Sequence, residues 1–423
     1  MTKLIESNYE MVNGKYYLLL ETGKRPSDEV TDNPNDIASL GGENISEEGF
    51  MKFDNVRYIT KKYFNTINKG KIQKEDILIN KDGAQTGKIA YISEIPFEKS
   101  MINEHIFIIR NNGEFDQKFL FYFLLSFKGQ KQIKSKIVGS AQGGISNSFI
   151  KGLYLPKPKK STQEKIASIL STVDKNIEQT KKTIEKTEKL KKSMMHNLLT
   201  GKIKPDGSKR REEEFYIDDK FGKVPKGWEL KFIGDSFVSI IEPNYSFKKG
   251  KQYDFLPMEA VLEKSQGISY FSKRKIETGG LCRFKNNDIL FAKITPCTEN
   301  GKIALVEKIK SELGFGSTEF IVISPSKNII SKYLYNFLLL NRIHGKAVSL
   351  MEGTTGRQRV PLSIFKKNLK ICFPKDLSEQ KEIVEKLEIY QNKIKVNNIK
   401  ILKLQKLKKS LMQNLLTGKI EVK

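Results

Sequence analysis

Between 161 and 199 the chain has no glycine or proline, and apolar side chains return on two interleaved seven-residue tracks. One track runs Ile166, Val173, Thr180, Thr187, Met194, and the other Leu170, Ile177, Ile184, Lys191, Leu198. Steps of four and three with polar residues between them describe the narrow seam of a coiled coil rather than the broad face of a core helix. The same tracks reappear 217 residues later, as Ile383, Tyr390, Asn397, Leu404, Leu411 and Leu387, Ile394, Ile401, Lys408, Leu415. Each run stops at Thr-Gly, Thr200-Gly201 and Thr417-Gly418, where glycine accepts the left-handed conformation that closes a helix. Two long helices are therefore predicted, and each is the natural partner of the other in an antiparallel pair. Polar seam residues such as Thr180, Thr187 and Asn397 weaken the pair but specify its register. Thirty-nine residues from 161 to 199 span roughly 58 Å at about 1.5 Å per residue, the length of a strut.

The duplication extends beyond the helices. KKSMMHNLLTGKI at 191–203 recurs as KKSLMQNLLTGKI at 408–420 with eleven of thirteen positions identical. Gln163 pairs with Gln380 at the same offset of 217. In the remaining sequence the offset drifts: DIL at 76–78 matches 288–290 at 212, and GKIA at 87–90 matches 301–304 at 214. Short β-rich runs (DILIN, KIAYI, HIFIIR; DILFA, KIALV, EFIVI) read as strands, and the segments around 119–125 and 334–339 as short helices. The predicted class is α+β. Two pseudo-repeated globular domains, 1–160 and 224–376, are separated by two long helices, 161–201 and 377–418, with a charged, turn-rich linker at 202–223.

A chain of 423 residues exceeds one hydrophobic core, in agreement with two domains. Net charge is +26, which favours polyanions such as nucleic acid or an acidic membrane surface. Only ten of the 75 basic residues are arginine, so placement, not total charge, carries the argument. Cys282, Cys297 and Cys372 form no C-x-x-C pair and no even framework, which fits core residues in a reducing cytosol. The longest apolar runs are far short of the roughly twenty residues of a membrane span. A soluble cytoplasmic protein is the expectation.

Catalytic motifs are nearly present and fail on geometry. GAQTGK at 83–88 has three residues between its glycines where a phosphate-binding loop needs four, and Ile89 stands where Ser or Thr would hold magnesium. Asp32-Asn33-Pro34-Asn35 lacks the second proline and the aromatic of an amino-methyltransferase motif and reads as a turn. Pro205-Asp206 and Glu229-Leu230-Lys231 hold the residue types of a nuclease, but nothing fixes them near one another. His105, His196 and His344 are scattered, without metal spacing. The chain is expected to bind rather than catalyse, with no metal and no cofactor of its own. A self-contained nuclease or methyltransferase and a basic coiled-coil scaffold are the competing classes.

Polar segments that recur in both halves are the candidates for reading DNA. In the first half they carry Lys24 and Arg25; Lys81, Gln85, Thr86 and Lys88; Asn103 and His105; and Gln142. In the second they carry Lys293, Thr295, Asn300 and Lys302; Thr318 and Glu319; and Arg357, Gln358 and Arg359. Glycines in these segments let backbone approach a phosphate. Lys supplies charge, and Arg, Gln, Asn and Glu match the donor and acceptor patterns of base edges. Two of the ten arginines lie within three positions, at Arg357 and Arg359, and either is a candidate for bidentate contact with guanine.

Several of these runs resemble a known family. DILFAKITPCTENGK at 288–302, GSTEF at 316–320, GRQRV at 356–360, PKGWE at 225–229, the Pro-then-Gln starts of both struts and the doubled LLTGKI ends are similar to the specificity (S) subunit of type I restriction-modification systems. The resemblance covers almost the whole chain, although the first domain lacks the PKGWE opening. It implies that each globular part is a target recognition domain for one half of a split, asymmetric site in double-stranded DNA, with the paired helices setting the gap. It further implies two modification subunits that use S-adenosylmethionine to methylate adenine, and restriction subunits that use ATP and Mg. A methylation-only or two-subunit system is the alternative. The helix ends, with Met194, Met195, Leu198, Leu199, Leu411, Met412, Leu415 and Leu416, carry more apolar surface than one seam uses. That excess is assigned to docking the modification subunits, packing on the recognition domains being its other use.

Overall fold

A computed structural model describes residues 7–25, 29–139, 143–354 and 356–422. Two compact units emerge, one formed by 1–182 with 398–423 and the other by 183–397. The first long helix, Lys160–Leu199, and the second, Leu377–Leu415, each contribute to both.

In unit 1 an antiparallel sheet runs in the order Leu18–Thr22, Ile106–Asn111, Ile77–Asn80, Ile89–Tyr91. Unit 2 builds the same sheet from Ser239–Ile241, Phe320–Pro325, Ile289–Ala292 and Ile303–Leu305. The central strands read as unbroken apolar runs because both faces are covered. Ile77 and Ile79 face a core shared with the helices, while Leu78 faces a second sheet. Ile289 and Phe291 divide from Leu290 and Ala292 in the same way. The second sheets are Val30–Thr31, Arg57–Ile59, Ile37–Leu40, Ser100–Ile102 in unit 1 and Ser272–Lys275, Gln252–Leu256, Gly314–Gly316, Cys282–Phe284 in unit 2. Each has one parallel pairing, Ile37–Leu40 with Ser100–Ile102 and Gln252–Leu256 with Gly314–Gly316. Class α+β holds for both units. The expected linker is more ordered than its composition predicts, since Phe215–Asp218 and Gly222–Pro225 pair as a hairpin.

The Pro-then-Gln starts have a structural cause. Gln163 is 1 % exposed, accepts the Asp116 N–H at 2.8 Å and donates to Pro158 O at 2.9 Å. Gln380, 0 % exposed, accepts the Ile330 N–H at 2.8 Å and donates to Pro374 O at 2.8 Å and Asn328 O at 3.1 Å. One buried amide thus ties the start of each strut to the helix layer of its recognition domain, satisfying backbone groups that have no water. Gln380→Ala strands those groups. It should cost about 1–3 kcal/mol of unit 2 stability in denaturant unfolding, whereas a loss of only a few tenths would show that the clamp is incidental.

Within unit 1 the helices run antiparallel: Ile166 and Leu170 share a core with Leu415 and Leu416, and further along Asp174 meets Lys408. Within unit 2 Leu198 and Leu199 share a core with Ile383 and Leu387, and Lys191 meets Gln391. The seam threonines satisfy their hydroxyls on their own helix, Thr180 to Asn176 O and Thr187 to Thr183 O, both at 2.7 Å. Gly201 and Gly418 take φ of 68° and 70° and close the helices as expected.

The helix ends require a correction. Leu198, Leu199, Leu415 and Leu416 are buried at 1, 0, 4 and 1 %, and Met412 at 9 %. Met194, Met195 and Leu411 pack against the same cores while keeping part of their surface. The apolar excess assigned to partner docking is therefore largely consumed inside the units. Each long helix starts on one recognition domain and delivers its end to the core of the unit built around the other.

Candidate nucleic-acid interface

In unit 2 three polar segments far apart in sequence meet at the end of strand Ile289–Ala292. Lys293 N–H donates to Glu319 O at 2.9 Å, and Val360 N–H donates to Lys293 O at 2.8 Å. Thr295 N–H donates to Gln358 O at 3.1 Å, and Arg359 bridges to both Ile294 and Glu352. Segment 293–302 is braced from behind. Thr298 O lies 2.8 Å from His344 Nε2, and Asn300 Nδ2 donates to Glu263 at 2.9 Å. Lys302 Nζ donates to Met258 O at 3.2 Å. His344 was read as a scattered histidine; its link to the loop is tertiary and left no trace in spacing.

Unit 1 repeats the frame. Lys81 N–H donates to His105 O at 2.9 Å, Ile145 N–H donates to Lys81 O at 2.7 Å, and Asp82 bridges to Gly144. Gly23 joins the group because any side chain there would collide with Asn103 O, 2.0 Å from an added Cβ. That approach carries Lys24 and Arg25 to the segment holding Asn103 and His105. Gln142 lies outside the described residues.

The frames match, and the polar groups mounted on them differ. Glu319 and His105 occupy the same place by backbone bonding, as do Arg359 and Gly144. In unit 2 Arg359 grips Glu319 through Nε at 3.0 Å and Nη2 at 2.8 Å. Those hydrogen bonds hold the Glu319 carboxyl below the usual carboxylate range, so the pair is charged at neutral pH. In unit 1 His105 Nδ1 faces Asp82 at 2.6 Å, its Nε2 lies 3.4 Å from Glu104, and Glu104 lies 3.5 Å from Arg25. One unit presents an Arg–Glu pair and the other a carboxylate–histidine–carboxylate–arginine chain, as reading two different base sequences requires.

The candidates separate into open and engaged groups. Lys24, Thr318 and Arg357 are exposed, and Lys81 and Lys293 partly so. Thr86 is a latch, its hydroxyl bonded to Gly83 O and Gly143 O at 2.6 Å each. Thr295 bonds to Gln358 O at 3.3 Å, Lys88 pairs with Glu47 at 2.5 Å, and Gln85 Oε1 is buried without a partner. Arg359, expected to be free for guanine, has its fork occupied by Glu319. The bidentate contact therefore falls to Arg357.

The near-motifs resolve as turns. Gly87 N–H returns to Asn80 O at 2.8 Å, so 83–88 closes a hairpin into strand Ile89–Tyr91 and opens no helix onto a phosphate. Asn33 caps its own turn by accepting the Asn35 N–H at 3.1 Å. Glu229 is engaged by Lys375 at 3.1 Å, and Asp206 accepts the Ser208 N–H at 2.8 Å. Cys282 and Cys372 are core residues, their thiols pushed up to about 12 by burial. Among the described residues no group of three or more His, Cys, Asp or Glu is placed to hold a metal ion, and no helix is long and apolar enough to cross a membrane.

A family model for the type I restriction modification DNA specificity domain matches residues 17–189 and again 225–406. The MjaVIII specificity subunit of Methanocaldococcus jannaschii is 27 % identical over 403 residues, covering 89 % of this chain and 87 % of that one. The EcoAI specificity subunit of Escherichia coli is 34 % identical over 191 residues, 44 % of this chain, and the match spans only 31 % of the Escherichia coli protein. In fold, the chain is similar to the S subunit of a type I restriction-modification system from M. genitalium, with a TM-score of 0.55 at 16 % identity and 98 % of each chain covered. Two matches to one domain model, falling on the two halves that share a backbone frame, place this chain in the type I restriction-modification DNA specificity family.

Proposed function

We propose that this chain supplies DNA sequence specificity to a type I restriction-modification assembly, each unit reading one half of a bipartite, asymmetric duplex site. The observation that carries this reading is the pair of identical backbone frames bearing different polar groups, Arg359–Glu319 in one and Asp82–His105–Glu104 in the other. A scaffold has no use for such a difference, and a single recognition domain has no use for the second frame. Lys24, Lys81, Lys293 and the surrounding excess of lysine hold the duplex through its phosphates, while Arg357 and the frame groups read base edges.

In this reading the chain is non-catalytic. Adenine methylation belongs to two modification subunits carrying S-adenosylmethionine, and cleavage to restriction subunits that use ATP and Mg. The assembly acts on DNA in the cytoplasm. The test is selection from random duplexes by this chain assembled with a modification subunit. The expected result is enrichment of one motif of two constant blocks separated by a fixed gap, with affinity falling steeply as salt rises. Recovery of unselected DNA by an intact assembly would sink the proposal.

A further inference from the structure

We infer that unit 1 carries a docking groove for an acidic, amphipathic helix of a partner protein. The inference rests on the functional reading above, under which that partner is a modification subunit. The groove is a cavity of about 1160 Å³ between the recognition domain and the paired helices of unit 1. Phe123, Leu125, Ile177 and Met412 supply apolar surface within it. Three large aromatics on its wall are open to solvent, Phe127 at 80 %, Tyr154 at 44 % and Phe50 at 40 %. Aromatics gathered around one apolar recess are the pattern of a protein interface, and they are costly to leave in water.

Charge selects the occupant. The carboxylates of the groove are spent internally: Glu47 on Lys88, Glu48 on Lys181 and Asp174 on Lys408, at 2.5, 3.0 and 2.6 Å. Lys131, Lys136 and Lys409 line the same recess, are exposed, and have no carboxylate within 4.0 Å among the described residues. A recess of this volume with an apolar lining and an uncompensated cationic wall fits a helix that inserts apolar anchors and presents Asp or Glu beside them. A duplex backbone offers phosphates to the lysines but nothing apolar to fill the recess. The groove also adjoins the helix end that first suggested docking: Met412 and Leu416 line it although little of either reaches solvent.

The experiment co-expresses the full chain with the modification subunit and counts subunits by native mass spectrometry, with affinity from titration. F127S and the pair K131E/K409E should each weaken one modification subunit at least tenfold and leave the other bound, so that the dominant assembly falls from two per chain to one. Both variants should keep the thermal midpoint of the unmodified chain, because Phe127 is 80 % exposed and neither lysine is ion-paired. F127S keeps the test open if the charge reversals disturb folding. Two subunits bound with unchanged affinity in F127S overturns the proposal. So does normal assembly accompanied by lost DNA affinity, which assigns the groove to nucleic acid. If the unmodified chain binds no modification subunit at all, the functional reading fails, and the groove's role fails with it.

Discussion

Replacing Lys408 by methionine should lower the stability of unit 1 by about 3–5 kcal/mol, the largest single effect expected here. The ammonium of Lys408 sits 2.6 Å from Asp174 with both side chains nearly out of water, at 12 and 10 % exposure. Tyr122 donates to the same carboxylate at 2.8 Å, and the Lys408 ammonium lies 5.5 Å from the Tyr122 ring and 5.7 Å from Phe50. Removing the lysine strands a carboxylate in a site that repays its desolvation only through that partner. Adding Asp174→Asn removes the stranded charge while leaving an acceptor for Tyr122. The double variant D174N/K408M should therefore recover most of the loss in denaturant unfolding.

The equivalent site in unit 2 should respond with the opposite sign. Lys191 takes the place of Lys408, but its partner is Gln391 at 2.5 Å instead of a carboxylate. Burial holds the Lys191 ammonium below the usual lysine range, with Glu188 only partly offsetting it. Lys191→Met exchanges a poorly compensated charge for an apolar group on a seam position and should be neutral or stabilising. A loss of 3 kcal/mol or more at Lys191, or none at Lys408, would show that the seam charges are not governed by desolvation.

The second large effect falls on recognition. Arg357→Ala should remove about 1–3 kcal/mol of discrimination at one base pair, in one half-site only, if its fork is bidentate to guanine. Arg359→Ala should behave differently. Its guanidinium spans from 352–359 to Glu319, so its loss loosens the loop and frees a carboxylate near the phosphates. The expected outcome is weaker binding across all sequences with little change in base preference. Competition binding on single-base variants of the selected site separates the two, and equal loss of selection in both half-sites would contradict the assignment of these residues to unit 2.

What the sequence disclosed follows the reach of each interaction. The long helices were legible because a seam repeats every seven residues, and the central strands because burial on two faces makes DILIN and DILFA continuously apolar. The second sheets were not, since Arg57–Ile59, Ser272–Lys275 and Gly314–Gly316 are short and polar or glycine-rich, and only tertiary pairing makes them strands. The hairpin hidden in the linker was missed for the same reason: Tyr216 and Ile217 remain exposed within it, so no burial pattern marks it. Candidate segments were legible as recurring polar runs, but their convergence was not, because the bonds joining 293 to 319 and 360 cross distances that spacing does not encode. Pairing also decided which candidates stay open: Arg357 and Arg359 look alike in sequence, and Glu319 takes only one of them.

The central claim is that each unit reads one half of the target. Its most direct test is a hybrid chain in which 224–376 is replaced by the aligned segment of the Methanocaldococcus jannaschii MjaVIII subunit, followed by selection of duplexes with the assembled complex. The expected motif keeps one block and the gap of the parent and changes the other block. A motif changed in both blocks, or in neither, would contradict the account.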